Sequence, residues 1–243
     1  MQNIRLDNLL LIDIETVPEH PAFDNMSAEW QTLWEEKIHR SLPVDISVAD
    51  FYPQRAGVMA EFAKVVCISI GYFKKDNGEL LLRLKSFSGD DEKKLLQDFI
   101  SALQQTEANN NKWNFCGHNI KEFDIPFLCR RLLVNGLTIP PFLDFQNMKP
   151  WETNIIDTFQ YWRFGDYKHF TSLKLLAAAL NVPSPKDDID GSMVGDVYWK
   201  EKNLDRIVTY CQKDVVTTAN IVLRFKNLPL LKEEQVVIVR KDL

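Results

Sequence analysis

The stretch LLLIDIETVPEH, residues 9–20, is aliphatic as far as Ile12 and then places Asp13 and Glu15 on either side of Ile14. Residues 8–14 read as a buried strand, because the run is short and rich in Leu and Ile. Successive side chains in a strand point to opposite faces, so Asp13 and Glu15 share one side while Ile12 and Ile14 share the other. Two carboxylates this close at a buried strand end repel each other and hold protons unless a cation lies between them. A hard divalent ion with oxygen ligands is the natural partner. The plain alternative is a strand that simply ends there with solvated acids, and the spacing alone does not choose between them. Thr16 serves equally well as a turn cap or a ligand contact.

The rest of the chain sets bounds. Its 243 residues are enough to bury one sizeable core, with 45% hydrophobic and 26% charged residues, ordinary values for a globular protein. No apolar run approaches the roughly 20 residues of a membrane helix. The N-terminal MQNIRLDNLL lacks the pattern of a signal peptide, so the expected location is cytoplasmic. Cys67, Cys116, Cys129 and Cys211 form no CxxC pair and read as small buried hydrophobes. A net charge of −5 excludes a molecule-wide trap for phosphate backbones, so any nucleic-acid contact must be local.

Helical spacing of Trp30, Leu33, Trp34 and Ile38 behind Ser27 predicts an amphipathic helix over 27–42, followed by an irregular stretch over 43–60. Strands are expected at 64–73 and 80–87, joined through an Asn-Gly turn, and a helix over 88–105 with Ser88 in a cap position. A short strand at 112–119 precedes a helix from Asp124 with Pro126 in its first turn and Gly136 at its end. A further strand at 154–162, a helix over 171–181, a polar loop over 183–203 and a long helix over 204–225 complete the order. An antiparallel meander followed by right-handed crossovers builds an α/β, RNase H-like fold: a mixed five-stranded sheet with helices on both faces. No repeat or linker is evident, so residues 1–243 are expected to form a single domain with a helical insertion at about 19–60.

Two further motifs matter. GHNIKEFDIPFL, residues 117–128, places Asn119 in a strand-to-helix connection and Asp124 at a helix start, where an acid satisfies orphan amides and the helix dipole. A carboxylate beside a neighbouring strand end is also where an open α/β sheet gathers ligands. YCQKDVV, residues 210–216, stacks Tyr210 and Asp214 four residues apart on one helix face, an arrangement often no more than a half-buried hydrogen-bonded pair.

Together, DxE, NxxxxD and YxxxD in this order resemble the DEDD (DnaQ-like) superfamily of 3′-to-5′ exonucleases. Tyr210 matches its DEDDy subgroup. The wording DIET, GHNIKEFDIPFL and YCQKDV is most similar to the proofreading exonuclease of family B DNA polymerases and to stand-alone PolB-like predicted exonucleases, over roughly residues 8–226. The resemblance implies that Asp13 bridges two divalent ions, Mg2+ or Mn2+, that Glu15 and Asp214 complete one site, and that Asp124 holds the other. It implies that Tyr210 orients the attacking water, and that Thr16, Asn119 and Phe123 lie beside the 3′-terminal nucleotide. These roles are chemically coherent, since two such ions activate water and stabilise the leaving oxygen.

The implied activity is release of nucleoside 5′-monophosphates from 3′ ends of single-stranded DNA. An RNA-trimming exonuclease, or a catalytically silent nucleic-acid-binding module on the same fold, are the alternatives. YWRFGDYKHF, residues 161–170, mixes Arg163, Lys168 and His169 with five aromatics; it suits stacking on unpaired bases. An aromatic core edge with a basic turn is the competing account. Lys186 sits in a polar loop within reach of a phosphate role, and His118 is expected to pack beside Asn119 rather than act as a base.

Overall fold

The computed structural model describes residues 1, 4–108, 113–146, 148–149, 152–183 and 189–239. Strands β1 (Leu9–Pro18), β2 (Ala63–Asp76) and β3 (Glu79–Ser88) form the antiparallel meander. The β2–β3 turn uses Asn77 and Gly78, both at positive φ (47° and 86°), as an Asn-Gly hairpin requires. Strands β4 (Asn114–Gly117) and β5 (Ile155–Asp157) add in parallel beside β1. The sheet has six strands rather than the expected five, in the order β5-β4-β1-β2-β3-β6. The extra one, β6 (Val236–Ile238), pairs parallel with β3; its three residues are too short to give a sequence signal.

Strand β1 decides the layering. Leu10, Ile12 and Ile14 pack with helices α3 (Glu92–Ala108) and α4 (Asp124–Val134) through Leu96, Phe99, Phe127 and Leu128. Leu9 and Leu11 face the other way, onto Val215, Ala219 and Val222 of helix α8 (Leu204–Phe225). Gly71 on β2 lets α8 approach closely, since a Cβ there would stand 2.8 Å from Val215 Cγ1. Among the described residues no helix is long and apolar enough to cross a membrane.

Residues between β1 and β2 hold helices α1 (Ala28–Ile38), capped by Ser27, and α2 (Val48–Arg55), around a cluster of their own centred on the fully buried Trp34 and Tyr52. Helix α2 replaces the irregular stretch expected over 43–60. Pro53 hid it from the sequence pattern, while Ser47, accepting from the Asp50 amide, starts it.

Three other expectations are corrected. The strand expected at 154–162 stops at Asp157, whose side chain caps helix α5 (Thr158–Arg163). Helix α6 (Leu173–Ala179) forms as expected, but the loop expected over 183–203 contains helix α7 (Val194–Trp199), too short to show periodicity. Asp91, not Ser88, caps α3 by accepting from the Lys94 amide, because Ser88 ends β3.

Arg131 of α4 is buried against Glu92, with Nε–Oε1 2.9 Å and Nη2–Oε2 2.6 Å, and also reaches Glu19 and the Ala60 carbonyl. Removing one partner of a buried ion pair strands the other, at a cost of about 3–5 kcal/mol. Arg131→Met should therefore lose about that much stability in urea unfolding, and adding Glu92→Leu should recover only a small part of it, because the buried Val65 amide then loses its acceptor.

Candidate active site

Asp13 and Glu15 stand opposite Ser69 and Cys67 of β2 and point toward α8, continuing the face that Leu9 and Leu11 begin. Immediately after Glu15 the register with β2 shifts, a bulge of the kind that re-aims side chains at a strand's functional end. On α8, Ile207, Cys211 and Val215 recur every four residues and pack on the sheet. Tyr210 and Asp214 sit on the adjacent flank of the same turns, with Asp214 close enough to act on the Tyr210 phenol. Asp124 arrives from the opposite layer as the first residue of α4, with the amide of Ile14 near enough to favour its charged form. It stands in the first turn of the helix, where the dipole favours a negative charge, and the helix start makes no side-chain cap hydrogen bond.

The sheet therefore brings four acids separated by up to 201 positions to one end of β1. Ligand atoms of Asp13, Glu15 and Cys211 lie within 4.8 Å of one another, and Asp124 and Asp214 flank them closely enough to act by charge. Burial first, then repulsion from Asp214 and Asp124, holds the Asp13 carboxyl well above the ordinary carboxylate range. Burial and Asp13 do the same to Glu15. Asp124 is pushed up to about 7 by burial, although the nearby backbone amides of Asp124 and Ile14 work against the rise. Tyr210 is raised by burial and by the neighbouring acids, so its phenol stays protonated.

Asp13 Oδ2 is enclosed with no hydrogen-bond partner. An orphaned buried oxygen among carboxylates that repel one another is the arrangement a hard divalent cation satisfies, and the donor set of oxygens suits one. The residues present fit such an ion.

The loop that carries Asn119 is held from below. Asp157 accepts from the amides of Asn119 (2.9 Å), Lys121 (3.1 Å), Phe159 (3.0 Å) and Gln160 (3.3 Å). Gly117 has no space for a side chain, since a Cβ would meet the Ile120 side chain and stand 2.8 Å from the Ile12 carbonyl. Asn119 itself is left-handed (φ 65°), and its Oδ1 is enclosed without a partner. Phe123 is half-buried on Phe127, with ring centroids 5.4 Å apart. His118 is fixed between Thr158 and the Thr171 carbonyl, and burial lowers its pKa, which suits a packing role. The Thr16 hydroxyl donates to the Gly57 carbonyl at 2.6 Å, so it ties β1 to the insertion and leaves the backbone as its means of contact. Lys186 lies outside the described residues.

Sequence reasoning missed Asp157 and underrated Cys211. Asp157 follows Ile155 and Ile156 as Asp13 follows its own aliphatic run, a signal that was available. Cys211 is buried as expected, but its Sγ donates to the Asp13 carbonyl and sits within the acidic group.

A family model described as a predicted 3′-5′ exonuclease related to the exonuclease domain of PolB matches residues 58–235. The chain belongs to that family. The matched segment contains Asn119, Phe123, Asp124, Tyr210 and Asp214, whereas Asp13, Glu15 and Thr16 precede it. Their association with the PolB-like exonuclease segment is therefore a matter of geometry. Among solved structures, the family B DNA polymerase of the hyperthermophilic archaeon Pyrobaculum calidifontis is similar, with TM-score 0.55 and 15% identity over 89% of this chain and 24% of the polymerase. At that identity the likeness establishes the fold, and the chain spans about a quarter of the polymerase's length. No curated protein matches the chain.

The acids give the metal-free protein a characteristic pH response. Asp124 keeps its proton to about pH 7 when folded but only to about its ordinary 3.8 when unfolded, so the folded state binds more protons between those values. Stability is then present at low pH and lost as pH rises through that window. In EDTA the melting temperature should fall by on the order of 5 °C between about pH 5 and pH 8. Asp124→Asn should flatten part of that fall.

Proposed function

We propose that the protein is a metal-dependent DEDDy-type exonuclease that removes nucleoside 5′-monophosphates from the 3′ end of single-stranded DNA. The observation that carries this reading is the convergence of Asp13, Glu15, Asp124 and Asp214 around an orphaned Asp13 oxygen, with Tyr210 one helical turn from Asp214. Family membership supports the reaction class. The 243 residues act, on this reading, as one exonuclease unit in which 19–60 is an insertion.

Asp13, Glu15 and Asp214 would hold one divalent ion, and Asp13 with Asp124 a second. When bound, two Mg2+ or Mn2+ ions supply water activation at neutral pH and charge stabilisation at the leaving 3′-oxygen. The chain's residues do the rest. Tyr210 stays a phenol, so it orients the attacking water by hydrogen bonding and does not remove its proton. Asn119 offers its unpartnered Oδ1 to the terminal nucleotide, and Phe123 offers a ring edge beside it. Asp157 keeps that loop in place through four amides, a positioning role. Single strands are favoured because the reacting phosphodiester must reach carboxylates set deep at a strand end, which a stacked duplex end does not allow without fraying.

Digestion of end-labelled single-stranded DNA with Mg2+ or Mn2+ tests this. Wild type should release mononucleotides from the 3′ end, and Asp13→Asn should lose at least about 100-fold in rate. The same variant should be as thermostable as wild type or more so without metal, because one repelling charge is gone. Wild type should gain several degrees of melting temperature in Mn2+ at saturating concentration, and Asp13→Asn should gain much less. A matched RNA oligonucleotide degraded faster than the DNA would move the substrate to RNA. Intact substrate together with a melting temperature indifferent to Mn2+ would defeat the reading.

A further inference from the structure

The segment after α5 departs from what folding alone requires. Phe164, Tyr167 and Phe170 are 82%, 78% and 66% exposed within seven residues, interleaved with Lys168 and His169. Phe164 adopts φ 46°, a left-handed conformation that a bulky side chain resists and that Gly or Asn takes at little cost. A position that accepts backbone strain to display an aromatic ring to solvent invites a functional reason.

The arm is latched to the Asn119 loop at both ends. At its start, Arg163 pairs with Glu122 (Nη1–Oε1 3.1 Å) and lies 4.1 Å from the Phe159 ring centroid and 5.3 Å from that of Tyr167. At its close, the Thr171 carbonyl faces His118 Nε2 at 2.8 Å, and Phe170 packs edge-on to Phe159 at 4.9 Å. The displayed rings are thus continuous with the loop on which Asn119 sits. The one acid in the arm, Asp166, is turned back onto the Lys168 amide and the His169 ring.

We infer that the 164–170 arm is a stacking platform for the single strand 5′ of the scissile bond, with Phe164 and Tyr167 each taking a base and Lys168 a phosphate. The inference rests on the exonuclease reading above. Aromatic faces accept any base, so the platform confers preference for unpaired strands over a few nucleotides and no sequence preference.

The test compares wild type, Phe164→Gly with Tyr167→Ala, and Tyr167→Phe on two substrates. One is a (dT)12 strand; the other is the p-nitrophenyl ester of thymidine 5′-monophosphate, which has no upstream nucleotide. The double variant should raise KM for the strand about tenfold or more at unchanged kcat, leave ester hydrolysis unchanged and melt no lower than wild type. Tyr167→Phe should behave as wild type, because the ring and not the hydroxyl stacks. An unchanged KM on the strand, or an equal loss on both substrates, would overturn the platform. Anisotropy of fluorescein-labelled (dT)12 in EDTA keeps the two readings separable. If wild type hydrolyses neither substrate, the exonuclease reading fails. The platform then stands if the double variant binds about tenfold more weakly and falls if it binds equally.

Discussion

Buried carboxylates must be given hydrogen-bond donors or a counter-charge, and this chain grades that provision sharply from place to place. Glu92 receives the Val65 amide, the Asn135 amide group and two contacts from Arg131. Asp157 receives four backbone amides. One oxygen of Asp13 receives none. A fold that satisfies Glu92 and Asp157 so fully is able to satisfy an acid, so the deficit at Asp13 is local and specific. It falls where three other acids converge.

The deficit is sustained by packing around it. Strand β1 is clamped on both faces by apolar layers, with Ile12 and Ile14 in one and Leu9 and Leu11 in the other. Repulsion among the acids acts to open the space between β1 and α8, and the contacts of Val215, Ala219 and Val222 oppose it. The bulge after Glu15 and the Thr16–Gly57 hydrogen bond then turn the chain into the insertion, which ends the strand's apolar run without moving the acids. The same packing that holds the fold together therefore keeps like charges close.

Much of this was legible beforehand, and for identifiable reasons. Period-two alternation places Asp13 and Glu15 on one face whatever the tertiary context, and Tyr210 and Asp214 are one helical turn apart for the same kind of reason. The long helix at 204–225 was read to the residue because its apolar spacing persists over six turns. Short elements escaped. Helix α2 contains Pro53, α7 has six residues and β6 three, so none sustains its pattern for more than about two periods. Asp157 was passed over because the strand was drawn through it, although the residue that ends β5 and starts α5 is the one that holds the Asn119 loop. The convergence of Asp124 with the other acids is a tertiary fact, and only the order of motifs hinted at it.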